Sequence, residues 1–238
     1  MPGIFLKAEW RKLILANYEI EENLLKKYLP AGTEIDTWNG RCYVSLVGFM
    51  FLNTKVKGVP IPFHRHFEEI NLRFYVKRET ANHGLKRGVV FIQEIVPKRA
   101  ISLIANAVYN EPYVRMEMRH KQELQGDSIT IQYGCKNGRW HQVETKALNT
   151  VVDFKPGSEE EFITEHYWGY TRTRKGQTQE YGVEHPSWKM YPVTEFRCDF
   201  DFGALYGCDF EGLSSRPPRS VFLAEGSEIV VRSGTQLK

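Results

Sequence analysis

The architecture follows from one segment, Phe67-Glu68-Glu69-Ile70-Asn71-Leu72-Arg73-Phe74-Tyr75-Val76-Lys77. Its even-numbered positions from 70 to 76 are all apolar, and successive side chains of a β-strand point to opposite faces. The apolar face therefore suits burial against another layer of the protein. The opposite face must line either bulk water or an interior cavity. That face comprises Glu69, Asn71, Arg73, Tyr75 and Lys77.

Short alternating segments separated by turn residues recur along the chain and predict further strands. Asn39-Gly40 and Asn137-Gly138 each predict a hairpin, because these residue pairs tolerate the positive φ that tight hairpin turns require. At the end of the chain, Val221–Leu223 and Glu228–Arg232 predict two strands that pair across Glu225-Gly226. These segments predict a chain dominated by β-structure.

Helical patterns are few and short. Glu21–Leu29 predicts a helix that Pro30 ends, and Pro97–Val108 predicts a second with an apolar stripe. A third should begin after Ser158, with Glu161 at its third position, and a helical turn is expected at 204–207. Many short strands with a few short helices predict a β-rich α+β fold, as a barrel or a strongly curved sheet.

Composition narrows the function classes. The 238 residues include 32 Lys plus Arg and 29 Asp plus Glu, and the net charge of +3 argues against a nucleic-acid partner. No apolar run approaches the ~20 residues needed to span a bilayer, so we expect no membrane partner. Aromatic residues make up 13% of the chain, which indicates a large core or a lined cavity.

The compartment and the domain count are also expectations from sequence. Charged residues follow Met1–Lys7 at once, so we expect no signal peptide. The four cysteines are scattered without a Cys-x-x-Cys pair, which favours free thiols in a cytoplasmic protein. No linker or repeat divides the chain, so residues 1–238 are expected to form a single domain.

The polar strand face has two interpretations. Glu69 and Arg73 could be a loose surface pair that contributes only ~0–1 kcal/mol. If they line a cavity instead, burial raises the pKa of Glu69 while Arg73 lowers it, and the sequence leaves that balance open. The segment from Tyr113 to Arg119 also has polar residues at every second position. Two such strands favour a lined barrel.

Other candidate motifs are weaker. His64-x-His66 places two imidazoles on one strand face, but no third ligand has a familiar spacing, so we expect no metal site. Glu184-His185-Pro186-Ser187-Trp188 predicts either a cavity rim, where Trp188 stacks and His185 forms a hydrogen bond, or a tight turn with a packed indole. Serine-hydrolase, Walker A and dinucleotide motifs are missing from the sequence, and we expect no cofactor.

Six sequence segments together resemble the YqjF-like family of uncharacterised bacterial proteins. They are Glu9-Trp10-Arg11, 29–36, Asn39-Gly40-Arg41, 67–76, 184–188 and 222–226. They span nearly the whole chain. That family is more distantly similar to the acetoacetate decarboxylase-like superfamily. The resemblance implies a curved, largely antiparallel β-barrel with a few short helices, enclosing a funnel-shaped and partly apolar cavity.

The resemblance also implies site residues. The decarboxylase pattern has an active-site arginine on the strand before a helix that ends in proline, and matching at Pro30 places it at Arg11. Matching at the aromatic-x-Glu run places the acidic residue at Glu69. Tyr113 follows Pro112 and is the expected proton donor.

One departure from that pattern limits the chemistry. The decarboxylases form a Schiff base through a lysine that follows the proline, but here Pro112 is followed by Tyr113, Val114 and Arg115. Lys98 lies at the start of the preceding predicted helix, which is the wrong position. We therefore expect no imine mechanism.

Three functions stay open from the sequence. The first is an enzyme acting on a small carboxylate or keto acid, with Glu69, Arg11 and Tyr113 as catalytic residues. Its ligand-binding residues would be Arg73, Asn71, Tyr75, His185 and Trp188. The second is a non-catalytic barrel that binds a small organic acid. The third is a structural barrel that forms homo-oligomers.

Overall fold

The computed structural model describes residues 2–60, 64–80, 84–97, 112–173 and 175–237. Its strands are β1 (Ile4–Glu19), β2 (Glu34–Ile35), β3 (Tyr43–Val56), β4 (Val59–Pro60), β5 (Phe67–Thr80), β6 (Gly84–Val96), β7 (Tyr113–Arg115), β8 (Glu117–Gln125), β9 (Ser128–Asn137), β10 (Arg139–Leu148), β11 (Trp168–Arg172), β12 (Thr178–Glu184), β13 (Met190–Tyr191), β14 (Val193–Asp199), β15 (Ser220–Arg232) and β16 (Thr235–Gln236). Its α-helices are α1 (Glu22–Leu25), α2 (Glu159–Thr164) and α3 (Phe202–Tyr206), with 3-10 helices over Lys26–Tyr28 and Cys208–Ser215.

The larger sheet closes on itself. Its strands run in the order β15-β1-β3-β5-β6-β11-β12, and β12 pairs again with β15. Neighbours around this ring are antiparallel except β6 and β11, which are parallel. The predicted β-rich, largely antiparallel barrel with a few short helices is confirmed.

A second sheet, ordered β14-β10-β9-β8, packs on the outside of this ring. Tyr133 of β9 lies over Gly48 of β3, where an added Cβ would come within 2.9 Å of its ring. The Tyr133 hydroxyl also donates to the Lys12 carbonyl oxygen at 2.9 Å. Because the two sheets share one apolar core, we propose that residues 1–238 form a single domain.

Strand β5 shows which environment each of its faces meets. Its apolar face, including Leu72 and Phe74, is fully buried in the core between the two sheets. Its polar face points into the barrel, where Glu69 is 2% exposed, Asn71 1% and Arg73 8%. The interior-cavity interpretation of the polar face therefore fits the structure, and the surface-pair interpretation does not.

Several local predictions are confirmed. The helix expected over 21–29 is α1 followed by a 3-10 turn, and the turn expected at 204–207 overlaps α3. Ser158 caps α2 by accepting a hydrogen bond from the Glu161 amide. Asn137-Gly138 connects β9 and β10 as a hairpin, whereas at Asn39-Gly40 only Trp38 and Arg41 pair, because β2 pairs with β5 and not with β3.

The remaining expectations concern the second helix, the cysteines and a membrane span. The helix expected over 97–108 lies outside the described residues, apart from its first position. All four cysteines are free. No helix in the described part of the chain is long and apolar enough to cross a membrane.

Two strand predictions were wrong. The expected strand pair across Glu225-Gly226 is one continuous strand, β15, because Gly226 with φ +80° forms an irregularity within the strand and not a turn between two strands. The polar face expected from Tyr113 to Arg119 is divided between β7 in the barrel and β8 in the second sheet. Tyr113 alone of these polar residues lines the interior, while Arg115, Glu117 and Arg119 are exposed.

Gly226 has a positive φ and lies close to the backbone of Trp10. Any side chain at position 226 should therefore lower the free energy of unfolding strongly. A Cβ there would lie 2.0 Å from the Trp10 carbonyl oxygen, whereas Gly58, with φ +82°, has no heavy atom within 4 Å of the same position. We expect Gly58→Ala to lose ~1–2 kcal/mol from backbone strain alone. Gly226→Ala should lose at least ~2 kcal/mol more, because the backbone must shift. Urea unfolding of both variants measures this difference, and equal losses would contradict it.

Candidate functional site

The barrel encloses a pocket of about 110 Å³. One buried water needs ~10–15 Å³, so the pocket has room for a molecule of several non-hydrogen atoms. Most of its wall is apolar and aromatic. The rings on this wall include Trp10, Phe49, Phe51, Phe67, Phe91 and Trp188. They stabilise one another, for example through the stacked pair Phe51 and Phe67 with ring centroids 4.6 Å apart.

Polar groups enter the pocket from three adjacent strands. β5 contributes Glu69, Asn71 and Arg73, β6 contributes Glu94, and β7 contributes Tyr113. The register places Asn71 opposite Glu94, and Glu94 opposite Tyr113. Asn71 Nδ2 donates to Glu69 Oε1 at 2.9 Å, and the Tyr113 hydroxyl donates to Glu69 Oε2 at 3.4 Å. Three of the polar residues predicted from sequence on β5 are thus brought together with Tyr113.

Glu69 is the group in this cluster that can exchange a proton near neutral pH. Burial raises its pKa to about 7, although hydrogen bonds from Asn71 and Tyr113 and the charge of Arg73 oppose that rise. Burial also holds the pKa of Tyr113 well above its ordinary value, so its phenol stays protonated and donates. Glu94 is a second buried carboxyl group beside Glu69. A carboxyl group poised in this way can serve as a general acid or base.

Arg73 lacks an ion-pair partner among the described residues. Its Nη2 donates to the Ile163 carbonyl oxygen at 3.4 Å, and its buried Nε has no hydrogen-bond partner in that part of the chain. Buried arginines ordinarily pair with carboxylates, because an uncompensated charge in an apolar environment is costly. A planar guanidinium in this state is suited to bind a carboxylate through two parallel hydrogen bonds.

Arg11 and Tyr75 lie outside the pocket lining. Arg11 Nη2 forms a 2.7 Å ion pair with Glu9 Oε2, and Arg11 Nη1 lies 3.8 Å from Glu225 Oε1. Lys12 has a φ of 54° at a register shift in β1, and this bulge reverses the alternation, so that Trp10 and Leu13 face inward while Arg11 faces away. The structure therefore does not bring Arg11 to the other predicted catalytic residues.

Tyr75 supports the wall of the pocket from behind. Its hydroxyl is 2.7 Å from Ser45 Oγ, and its ring packs 5.3 Å from the Phe162 ring. The Arg73 guanidinium lies 5.7 Å from the Tyr75 ring centroid. Tyr75 thus contacts residues of the site without lining the pocket itself.

His185 and Trp188 form part of the pocket wall. Their rings stack with centroids 4.3 Å apart, and Trp188 Nε1 donates to Ser227 Oγ at 2.9 Å. Trp188 is only 3% exposed, so the motif is both a tight, packed turn and a wall of the cavity. Burial lowers the pKa of His185, with a further contribution from the charge of Arg73.

Sequence reasoning missed Glu94, His166 and Asp36. Glu94 is the one charged residue in the mostly apolar run from Val89 to Val96, and that contrast is a signal of a buried functional carboxyl group. His166 follows α2 with no pattern around it, and it lines the pocket only because the chain returns there. No cluster of three or more metal-ligating side chains occurs within the described ranges.

Comparisons with known proteins agree with this architecture. The model of the DUF2071 family, described as an uncharacterized conserved protein, matches residues 7–228. The chain is 28% identical over 193 residues to the uncharacterized protein YqjF of Bacillus subtilis, covering 79% of this chain and 76% of that protein.

Solved structures show the same fold at low sequence identity. An acetoacetate decarboxylase from Legionella pneumophila has a TM-score of 0.65 and 14% identity, covering 100% of this chain and 88% of that chain. The enduracididine biosynthesis enzyme MppR, complexed with pyruvate, has a TM-score of 0.65 and 12% identity, covering 100% and 91%. The fold implied by the sequence resemblance is therefore confirmed.

The raised pKa of Glu69 predicts how stability changes with pH. Between its ordinary pKa of 4.5 and about 7, the folded protein holds a proton that the unfolded chain releases. The free energy of unfolding therefore falls as pH rises through this window. Glu69→Gln removes this titration, so its stability relative to wild type should increase from pH 5 to pH 8 by ~3 kcal/mol.

Urea unfolding at both pH values measures this change. Glu228→Gln, on the exposed side of β15, is the matched control and should show a constant difference from wild type. The burial argument fails if Glu69→Gln also differs from wild type by the same amount at both pH values.

Proposed function

We propose that this chain, which belongs to the DUF2071 family, binds a small organic acid in its barrel and exchanges a proton with it. Arg73 holds the carboxylate of the ligand, and Glu69 accepts or donates the proton. Asn71 and Tyr113 orient Glu69 through the hydrogen bonds described above. Trp188 and His185 also form part of the wall.

The observation that carries this proposal is the buried state of Arg73 without a carboxylate partner in the described residues. An arginine in an aromatic pocket loses its hydration, and a ligand carboxylate restores both the charge balance and the hydrogen bonds. The pocket volume of about 110 Å³ suits an acid of a few carbon atoms. MppR, which shares the fold, is complexed with pyruvate, and that ligand class is consistent with the proposal.

The proton-transfer role rests on Glu69 and its surroundings. A pKa of about 7 leaves both protonation states populated near neutral pH, which is the condition for efficient general acid–base catalysis. Glu94 lies beside it and can share the proton, so that only one of the two carboxyl groups needs to be charged. Proton exchange beside a bound keto acid suits enolisation, in which Glu69 would take a proton from a carbon next to the keto group and return it to the enolate.

A lysine imine is not part of the proposed mechanism. No lysine lines the pocket among the described residues, and Tyr113 follows Pro112 where the decarboxylases have lysine. Acid–base chemistry on the bound acid therefore depends on Glu69 and its neighbours. Binding without any turnover would favour the non-catalytic alternative.

Removing the Arg73 charge should weaken acid binding without harming the fold. Arg73→Met keeps much of the side-chain volume and removes a desolvated charge, so the melting temperature should stay equal or rise. Binding of pyruvate, acetoacetate or lactate in calorimetry should weaken by ten- to a hundredfold, the equivalent of a charged hydrogen bond worth ~1.5–3 kcal/mol.

Arg197→Met is the matched control, because Arg197 is 76% exposed and pairs only loosely with Glu195 at 3.7 Å. Its affinity for each acid should equal that of wild type. The proposal is refuted if Arg73→Met binds these acids as wild type does, or if wild type binds none of them.

The missing lysine predicts resistance to imine trapping. Borohydride added with acetoacetate reduces any Schiff base to a stable amine. We expect the intact mass of the protein to stay unchanged by this treatment. A covalent adduct on any lysine would show that the imine route operates and that Tyr113 does not replace the nucleophile.

A further inference from the structure

A buried chain of polar side chains extends from the barrel wall to the pocket. His166 is 6% exposed, and its Nε2 lies 3.3 Å from Asp36 Oδ2. The same carboxylate oxygen accepts a hydrogen bond from Arg87 Nε at 2.7 Å. The Asp36 amide donates to the Tyr75 carbonyl oxygen at 2.9 Å, which fixes the carboxylate against β5.

These contacts determine which nitrogen of His166 holds the hydrogen. Burial raises the pKa of Asp36, but hydrogen bonds from His166 and Arg87 outweigh it and hold that pKa below its ordinary value. Burial lowers the pKa of His166 to about 4, so the imidazole is neutral at neutral pH. An ionised carboxylate only accepts hydrogen bonds, and a neutral imidazole has one N–H. The hydrogen therefore lies on Nε2, and Nδ1 carries a lone pair.

His166 is held rigidly in this orientation. Its ring packs 4.8 Å from the Tyr75 ring and 5.3 Å from the Phe162 ring, the latter edge to face. The ring lines the pocket, and its buried Nδ1 has no hydrogen-bond partner in the described part of the chain. With Nε2 committed to Asp36, Nδ1 is the nitrogen that remains for a molecule in the pocket.

The position of His166 suits a ligand held by Arg73. The Ile163 carbonyl that accepts from Arg73 is three residues before His166, and Tyr75 contacts both side chains. A second acceptor, Asn71 Oδ1, is also buried in the pocket lining without a partner in the described residues. Arg73, Asn71 and His166 thus line the same pocket, each with a buried polar atom that has no partner in the described residues.

We propose that His166 Nδ1 accepts a hydrogen bond from a hydroxyl group of the bound acid, so that the pocket selects small hydroxy acids. This inference rests on the proposed carboxylate site at Arg73. A keto oxygen only accepts hydrogen bonds and leaves Nδ1 unpaired, whereas a hydroxyl group donates to it. Sites that bind a hydroxyl group discriminate strongly against analogues that lack it, because their buried polar groups then stay unpaired. Asp36 acts as a positioning residue, since it fixes the tautomer through Nε2.

Matched pairs of acids test this selection. Glycolate and acetate differ by one hydroxyl group, and lactate and pyruvate differ by a hydroxyl against a keto group. Calorimetry on the full chain should show that glycolate binds at least tenfold more tightly than acetate, and lactate at least tenfold more tightly than pyruvate. His166→Phe keeps an aromatic ring between Tyr75 and Phe162 and removes Nδ1. It should bring both ratios close to one, with the affinity for acetate unchanged.

The control is His120→Phe, the same substitution at an exposed histidine, which should leave every affinity as in wild type. Equal binding of glycolate and acetate by wild type overturns this inference while the Arg73 site stands. Failure of all four acids to bind overturns both.

A measurement on the unmodified protein tests the tautomer even if His166→Phe does not fold. Nitrogen-15 NMR of the His166 imidazole at neutral pH should show the neutral form with the hydrogen on Nε2. Glycolate should shift the Nδ1 resonance and acetate should not. A hydrogen on Nδ1, or a charged imidazolium, contradicts the proposal. Asp36→Asn should alter this tautomer signal and reduce the preference for glycolate, whereas a purely structural role would leave both unchanged.

Discussion

Strand β5 is buried on both faces, because the second sheet covers its outer side and the barrel closes around its inner side. The outer face is apolar and gains stability from this burial. The inner face places Glu69, Asn71 and Arg73 in an interior with little solvent, where each polar group needs a partner. The interior exists because the ring of strands closes through the pairing of β12 with β15. The electrostatics of the pocket therefore depend on a strand pairing that is remote in sequence from β5.

Within the described residues, hydrogen bonds and charges compensate the burial of these polar groups only in part. Glu69 receives hydrogen bonds from Asn71 and Tyr113, and its raised pKa lets it avoid a buried negative charge at moderate pH. Arg73 cannot lose its charge in the same way, since a guanidinium stays protonated in proteins. A buried charge of this kind costs stability and would be replaced by an apolar residue if packing alone mattered. The arrangement is therefore better explained by ligand binding than by stability of the barrel.

Similarity to known proteins and the chemistry of the site answer different questions. The solved structures share 12–14% identity with this chain, and at that level they establish the fold alone. A Schiff-base mechanism needs a lysine nucleophile, and no lysine lines the pocket among the described residues. One fold can carry different polar groups and can therefore host different reactions. In the described part of the chain, the polar groups that line this pocket include the carboxyls of Glu69 and Glu94, the Tyr113 phenol, the Arg73 guanidinium and the imidazoles of His166 and His185.

Alternation, hairpin turns and helix caps are local properties of the chain. The sequence alone therefore establishes a β-rich fold, as a barrel or a strongly curved sheet, together with the two faces of β5 and the grouping of Glu69, Asn71 and Arg73. Its errors occur where long-range packing overrides the local pattern, at the Lys12 bulge, which turns Arg11 outward, and at Gly226, where one strand continues. Only the tertiary structure decides that the polar face of β5 lines a pocket inside the barrel, and only it brings Glu94 and His166 to that pocket. The alternation of residues along a strand predicts which side chains share a face. Whether that face meets solvent or a pocket depends on which distant strands pair.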